Sequence, residues 1–413
     1  MNILMISDVY FPRVNGVSTS IATFRKQLMQ QGHQVCLIVP DYQQDSIDDP
    51  DIIRIPSRHL WLDPEDRMLR TDAIYALEAE LRNRCFDVLH IQTPFLAHHA
   101  GIRLAGKLGL PVIESYHTYF EEYLYHYVPF LPRTMMRAAA RYFTRIQCNQ
   151  LDAVIVPSHA MQTVLEQYGV TTATQIIPTG LEMELFTGGS GPRFRELHAI
   201  EAKRPTLVHI GRVAHEKNID FLLDVLVRLR KDFSDILLVI AGEGPARKAL
   251  RERVRHEQLE HNVLFVDYLP RGPKLWDCFL AGDLFVFASS TETQGLVLLE
   301  AMALGVPVVS TAEMGTRDIV LAERGCRVAA TRVDDFALQV SRLLRDPAVR
   351  GELSRQARAF AAEWSAEALA CQLAGYYARL ADAYAANPDK RTGSKSAGQR
   401  GKPAAADGME NSG

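Results

Sequence analysis

Two glutamates and two cations give this sequence its first chemistry. Glu292 and Glu300 are separated by seven residues in the stretch TETQGLVLLEAMALGVPVV. From Leu296 onward that stretch is apolar on every side, which marks a buried helix rather than a surface one. Glu300 sits inside it with no cation within a turn, so a distant residue or a ligand must supply its partner. Glu292 stands just before the helix start, and Gly295 lets a ligand approach that start closely. The free N–H groups at Gln294, Gly295 and Leu296 make an anion site. A nucleotide-sugar fits the set, with its diphosphate on the N–H groups, sugar hydroxyls on Glu292 and ribose hydroxyls on Glu300. The plain alternative is a core helix with a satisfied glutamate. Arg212 and Lys217 lie five apart in the segment GRVAHEKN, between a strand and a helix. Two cations so placed can clamp a diphosphate beside the helix N-terminus; the alternative is a solvated basic loop.

The elements that must hold these residues read as two βα series. Apolar runs at residues 2–7, 35–39, 88–91, 112–116, 153–157 and 174–177 alternate with helical segments, and a second series restarts at 206–210, 236–241, 263–266, 284–288 and 308–310. Strands alternating with helices predict parallel sheets. The two series join near residue 180, which implies an α/β protein of two Rossmann-like, doubly wound domains facing across a cleft. Neither first strand is followed by G-x-G-x-x-G, so a dinucleotide cofactor is not expected. His117 falls where the 112–116 strand ends, and ligands of open α/β sheets collect at such ends. Gly16 opens the helix after the first strand. His98 and His99 are read as structural. Residues 41–72 read as an acidic loop with one short strand at 52–55, and Asp49-Pro50-Asp51 as an acidic turn rather than a metal site. Residues 187–192 have the most linker-like composition within the folded part.

Composition excludes several classes. The chain has 413 residues, enough for two ordinary domains, and 47% hydrophobic residues, enough for two cores. A net charge of −3 lacks the basic excess of a nucleic-acid binder. Six scattered cysteines, with no CxxC and no Cys/His cluster, argue against a disulfide scaffold or structural zinc and for a reducing compartment. The first residues turn polar too soon for a signal peptide, and no apolar run reaches the length of a membrane span. The last helix is expected over residues 366–385. Residues 386–413, rich in Lys, Gly, Ser, Ala and Pro, read as disordered.

With these motifs in hand, the sequence resembles the retaining glycosyltransferases of family 4, which have the GT-B fold. Glu292 and Glu300 match the family's Glu-x7-Glu signature, and Arg212 and Lys217 its diphosphate-binding loop. SYHTYFEEY resembles its His-Thr segment, so the resemblance implies that His117 bonds the donor sugar near the reacting carbon. It also implies that Gly16 approaches the donor phosphate and sugar, and that residues 267–269 offer backbone contacts to the base. The family crosses between domains at residues 176–181 and returns through the last helix. The implied organisation is an acceptor-side domain over 1–182, a donor-binding domain over 183–365, and the helix 366–385 crossing back. The family needs no metal and no cofactor. Its reaction is a same-face attack with retention, in which the leaving diphosphate takes the acceptor proton; His117, Glu292, Arg212 and Lys217 carry the catalytic roles.

The acceptor is the finer question. Arg133, Arg137, Arg141 and Arg145 are spaced by four and share a helix stripe. Phe130, Leu131, Met135, Met136, Tyr142 and Phe143 flank them, a mixture suited to an anionic bilayer. The alternative is a solvated face whose apolar side packs inward. SYHTYFEEYLYHY together with TETQGL is most similar to the diacylglycerol glucosyltransferases of the family. The resulting expectation is a cytoplasmic, peripheral membrane enzyme that moves a hexose from UDP-glucose to a lipid, diacylglycerol first. A polyprenyl-linked or saccharide acceptor is the runner-up, a sugar-nucleotide epimerase a weaker one, and a non-catalytic nucleotide-binding module has no use for His117.

Overall fold

The computed structural model describes residues 1–42, 49–60, 63–117, 119, 133–321 and 323–387. The apolar runs of the first half form one parallel sheet. Its strands are β1 (Asn2–Ile6), β2 (Gln34–Pro40), β3 (Ile52–Ile55), β6 (Val88–Ile91), β7 (Val112–Ser115), β8 (Ala153–Val156) and β9 (Thr174–Ile176), in the order β3-β2-β1-β6-β7-β8-β9. The second half repeats the plan with β10 (Thr206–Ile210), β11 (Leu237–Ala241), β12 (Val263–Val266), β13 (Leu284–Phe287), β14 (Val308–Ser310) and β15 (Cys326–Val328), ordered β12-β11-β10-β13-β14-β15. The central strands are buried on both faces, the reason they read as unbroken apolar runs. In each sheet the order reverses beside the first strand, between β1 and β6 and between β10 and β13. A crevice opens at the carboxyl ends of strands at such a switch point. The loops that follow β1, β7, β10 and β13 carry Gly16, His117, Arg212 with Lys217, and Glu292.

Each sheet has an apolar layer on either face. One layer of the first sheet is completed from the far end of the chain: Ala370, Leu373 and Tyr377 of helix Ala366–Ala385 pack with Ile21, Phe24 and Leu28 of helix Gly16–Gln30. The chain passes between the sheets twice, and the passages touch. Leu181 N–H donates to Trp364 O (2.7 Å) and Ala366 N–H to Leu181 O (3.0 Å). Residues 388–413, assigned above to a disordered tail, lie outside the described residues.

The acidic stretch and the linker differ from their sequence readings. Within residues 41–72 the chain forms an antiparallel hairpin of β4 (Ser57–Leu60) and β5 (Asp63–Leu69). Its second strand, DPEDRML, lacks the apolar alternation by which a strand is recognised. Two short helices follow, Thr71–Ala76 and Glu78–Asn83. Asp49 pairs with Arg25 (2.8 Å) and Asp51 with Arg84, so both carboxylates of the acidic turn are committed to arginines. Residues 187–192 are no free linker. Ser190 caps helix Gly191–Leu197, and a Cβ on Gly191 would lie 2.1 Å from Leu280 O. Gly189, where a Cβ would lie 2.7 Å from Trp276 Cβ, and Gly191 permit close packing rather than flexibility.

Gly180 permits the double passage in the same way, since a Cβ there would sit 2.5 Å from Ala366 Cα and 2.6 Å from its nitrogen. Gly180→Ala is expected to destabilise the protein by about 1–3 kcal/mol, the usual range for forced overpacking. Gly106→Ala, where a helical Cβ meets nothing within 4 Å, should stabilise by about 0.5–1 kcal/mol. Urea unfolding of the two variants checks the contrast; equal stability of both would contradict this account of the passage.

Candidate active site

The second domain builds its half of the site from two loops laid side by side. A Cβ on Gly242 would lie 2.0 Å from Gly211 O, so glycine lets the loops after β10 and β11 touch. Val213 N–H then donates to Glu243 O (2.8 Å). Lys217 ends a 3-10 turn, His215–Lys217, and Asn218 follows in the left-handed conformation. Asn218 Nδ2 donates to Ala288 O (3.3 Å) and Ser289 Oγ to Glu216 O (3.1 Å), which fixes the cationic loop to the end of β13. Lys217 and Glu292 consequently meet in an ion pair, both about one-fifth exposed. Arg212 is exposed, and its guanidinium has no partner among the described residues.

Glu292 leads into helix Leu296–Ala303. Gly295 precedes that helix at φ +93°, a left-handed position suited to glycine, and among the described residues no side chain caps the helix start. Leu298, Leu299, Ala301, Met302 and Ala303 are buried, while Leu296, Val297 and Glu300 are partly so. The partner of Glu300 is Arg271, from the loop before helix Pro273–Ala281. Burial raises the Glu300 carboxyl above its ordinary range, and the nearby guanidinium pulls it back. Arg271 and Leu296 also line one small cavity with Thr19, Thr23 and Thr179, across from the first domain.

The first domain reaches this helix start through hydrogen bonds at two adjacent residues. Thr293 Oγ1 donates to His117 O (3.0 Å), and Ser158 Oγ donates to Thr293 O (2.7 Å). The Gln294 side chain closes a two-way bond with Thr179, donating to its carbonyl (2.8 Å) and accepting from its N–H (2.9 Å). Thus His117 and Glu292, 175 positions apart in sequence, face one cleft. The His117 ring lies 3.4 Å from Gln92 Oε1, and desolvation lowers its pKa to about 4, so it is a neutral imidazole at pH 7. Behind it, His90 is held between Tyr377 and Ser115 Oγ (2.8 Å) and is driven down to about 3. Gly16 opens its helix beneath the Asn15 cap (2.8 Å to Ser18 N), and a Cβ there would meet nothing within 4 Å. Among the described residues, no side-chain hydrogen bond joins Gly16 or Arg212 to this group.

Sequence reasoning passed over Arg271, Ser158, Thr179 and Thr293. Thr293 was within view, lodged between two named residues; the others carry no local signal. His98 is buried against Glu114 (2.5 Å), the structural place read for it. Among the described residues no group of three or more His, Cys, Asp or Glu could hold a metal ion.

Helix Arg133–Cys148 carries two apolar stripes, not one. Met136, Ala140, Thr144 and Cys148 are buried against the domain. Opposite them Met135 (62%), Tyr142 (53%), Phe143 (62%) and Ile146 (37%) are exposed, with exposed Arg137, Arg141 and Arg145 along the flank. Arg141 lies over the Tyr168 ring (5.5 Å) and Arg145 over Tyr142 (5.7 Å). Met136, grouped with the flanking apolar residues above, belongs instead to the inward stripe. Phe130 and Leu131, and the side chain of Arg133, lie outside the described residues. Among those described, no helix is long and apolar enough to cross a membrane.

One buried histidine underlies the Lys217–Glu292 pair. His209 of β10 is stacked near Phe285 and Phe287, and its Nδ1 donates to Val286 O (3.2 Å). Its Nε2 has no partner among the described residues. Desolvation lowers its pKa to about 4, with Lys217 also lowering it and Glu292 raising it. Because the folded value lies below the unfolded one near 6.5, the unfolded chain binds the extra proton as pH falls. Stability from this group is full above 6.5 and drains away toward 4. His209→Gln should therefore reduce the slope of unfolding free energy against pH, between pH 6 and 5, by about 1 kcal/mol per unit. Urea unfolding across that range checks it, and an unaltered slope would mean that His209 takes up its proton as readily in the fold as in the unfolded chain.

Comparison with known proteins places both halves. Residues 14–185 match the family described as Glycosyltransferase Family 4, and residues 192–360 match Glycosyl transferases group 1. An alpha-monoglucosyldiacylglycerol synthase of Streptococcus pneumoniae is 34% identical over 319 residues, 75% of this chain and 71% of the relative. The enzyme of the same name from Acholeplasma laidlawii is 23% identical over 92% of this chain and 98% of its own. A GDP-mannose-dependent alpha-mannosyltransferase of Mycobacterium tuberculosis is 26% identical over 78% of this chain and 82% of its own. Among solved structures, sucrose-phosphate synthase from Thermosynechococcus elongatus superposes with a TM-score of 0.75 at 22% identity, covering 94% of this chain and all of that one. A glycosyltransferase from Rickettsia africae gives 0.73 at 14%, covering 92% of this chain and 98% of that one. With two parallel sheets across a cleft and a relative matched at this level, the chain belongs to the family 4 glycosyltransferases and has the GT-B fold.

Proposed function

We propose that the enzyme transfers a hexose, with retention and without a metal, from UDP-glucose to diacylglycerol at the surface of an anionic membrane. The observation that carries the acceptor is the outward stripe of helix Arg133–Cys148, where Met135, Tyr142, Phe143 and Ile146 stand beside Arg137, Arg141 and Arg145. A folded domain gains nothing from leaving that many large apolar groups in water, and an interfacial helix inserts just such a face. Two relatives named alpha-monoglucosyldiacylglycerol synthase support the same acceptor and a glucosyl donor. The free cysteines and a nucleotide-sugar donor support the cytoplasmic face of the membrane for this reading.

The chemistry runs from charge. Breaking the sugar–phosphate bond develops negative charge on the departing diphosphate, and Arg212, Lys217 and the N–H groups at Gln294, Gly295 and Leu296 stabilise it. Glu300 receives the ribose hydroxyls. His117, neutral at working pH, exchanges a hydrogen bond with the sugar near its reacting carbon without adding a cation that would oppose oxocarbenium character. Glu292 takes the ring hydroxyls and is held by Lys217, which suits a positioning carboxylate better than a nucleophile. The acceptor hydroxyl attacks on the face the diphosphate leaves, and a diphosphate oxygen takes its proton. Gly16 offers open space for the donor's close approach. A second reading of the donor, GDP-mannose, is favoured by relatives named for it, and a donor screen with mass-spectrometric detection separates the two.

Arg212→Ala and Lys217→Ala are each expected to lower transfer by at least about 10²-fold, the scale of losing one charge-stabilising donor. Near-parental rates in both would remove this loop from the mechanism. Independently, sedimentation with phosphatidylglycerol vesicles should fall with added salt, as each cation near such a surface contributes about 1 kcal/mol. It should also fall when Arg137, Arg141 and Arg145 become glutamine, or when Tyr142 and Phe143 become serine. An enzyme that ignores vesicles and glycosylates only soluble saccharides would overturn the lipid acceptor while leaving the transferase intact.

A further inference from the structure

The face of the first sheet that helix Ala366–Ala385 covers changes character toward the site. Val88 of β6 and Ile113 of β7 lie in one apolar layer with Ala370, Leu373 and Tyr377 of that helix. Alternate residues of a strand point the same way, so His90 and Gln92 follow Val88 on this face, and Ser115 and His117 follow Ile113. His90 Nε2 meets Ser115 Oγ across the strands (2.8 Å), and Gln92 Oε1 lies 3.4 Å from the His117 ring. Each pair spans 25 positions, so the two contacts are successive rungs of one ladder at the carboxyl ends of the parallel strands. The first rung is held from behind. The Tyr377 hydroxyl bonds His90 Nδ1, and the two rings meet edge-on with centroids 5.6 Å apart. Tyr377, His90, Ser115 and Gln92 are all buried.

The hydrogens of this line run one way. Burial raises the Tyr377 phenol well above its usual range, so it stays protonated. Burial lowers the His90 imidazole to about 3, so it is neutral and carries a single N–H. Deep in the layer the phenol hydrogen has His90 Nδ1 to go to, and a buried donor left unused is costly. Tyr377 therefore donates to Nδ1, which leaves the imidazole hydrogen on Nε2 to be donated to Ser115 Oγ. Ser115 is the last residue of β7, two before His117. We infer that Tyr377 is a positioning residue for sugar transfer: through His90 and Ser115, the C-terminal helix fixes the strand end from which His117 faces the donor. This rests on the reading of His117 as the sugar's hydrogen-bond partner. Without the phenol hydrogen His90 takes either tautomer and the first rung loosens. The second rung, which sets the His117 ring against Gln92, loosens with it.

The test uses the full chain with UDP-glucose and phosphatidylglycerol vesicles carrying diacylglycerol. Tyr377→Phe removes one hydroxyl and keeps the ring. It is expected to lower kcat at least about tenfold, since small misplacements of a positioned group cost that much or more. Affinity for UDP alone should stay within about twofold of the parent, because UDP carries no sugar for His117 to meet. Ser115→Ala, which cuts the line at its other end, should match this pattern. In a His117→Ala background Tyr377→Phe should cost nothing further, because a residue that acts through His117 then has nothing to position. Leu373→Val, in the same apolar layer one turn earlier, weakens the packing without touching these bonds. It should keep parental kcat at a temperature where every variant is folded. Nitrogen-15 spectra of histidine-labelled protein should show His90 protonated at Nε2 in the parent and as a mixture of tautomers in Tyr377→Phe. Four results overturn the inference alone: parental kcat in Tyr377→Phe, an undiminished effect in the His117→Ala background, an equal loss in Leu373→Val, or a parent with His90 protonated at Nδ1. A parental rate in His117→Ala, or a parent inactive with these substrates, overturns the proposed function on which it rests as well.

Discussion

Two adjacent residues, Thr293 and Gln294, hold the site together. Neither side chain is spent on the chemistry proposed for its neighbours. Thr293 bonds His117 O and receives Ser158 Oγ, while Gln294 closes a two-way bond with Thr179. These bonds lie between Glu292 and the start of the Glu300 helix, so the first domain grips the second at the residues between its two carboxylates. Each bond alone is worth about 1 kcal/mol net. Their value is positional: a shift of the first domain moves the His117 strand end and the Glu292 loop apart together. Ser20 Oγ and Thr179 Oγ1 (2.7 Å), and His159 with Asp318, extend the same contact on either side.

Such a grip explains which parts of the site were legible in the sequence. Parallel strands buried on both faces announce themselves as apolar runs, and the residue that ends one is placed by topology alone, as His117 was. Glu292, Gly295 and Glu300 share one helix start, so their relation is fixed by local geometry. Arg271 is different. It lies 29 positions from Glu300 and belongs to another loop; the lone carboxylate announced that a partner was needed and could not name it. Ser158 and Thr179 belong to the other domain and have the same opacity. Asp8 follows β1 in what reads as an ordinary loop, and only the folded chain brings Thr93 and the Ala97 N–H to it.

Periodicity also has a limit that helix Arg133–Cys148 makes plain. Its arginines and apolar residues are visible in sequence, and their 3.6-residue period is real. A helix with apolar side chains on two opposite stripes, however, gives no sign of which one the domain takes. Met135 and Met136 differ by a single position, and one is exposed while the other is buried. The hairpin β4–β5 fails for the opposite reason, having strand geometry and no pattern, because DPEDRML takes its shape from its partner strand rather than from an apolar face.

The charges that remain in the cleft at neutral pH are few, because burial removes the histidines. His90, His117 and His209 are all neutral, their pKa values lowered to about 3, 4 and 4. That leaves Arg212, Lys217 and Arg271 facing Glu292 and Glu300. Two of the cations are paired to the two carboxylates, and among the described residues Arg212 has no such partner. A diphosphate carries about two negative charges, so Arg212 answers only part of it. In the proposed mechanism the rest comes from Lys217 and from the N–H groups at the start of helix Leu296–Ala303. Lys217 can serve a phosphate fully only as Glu292 turns to a hydrogen-bonding partner of its own, and the ring hydroxyls of a sugar are such a partner. On the proposed placement of the donor, the ion pair couples its two halves: a diphosphate without its sugar competes with Glu292 for the lysine, whereas an intact nucleotide-sugar satisfies both.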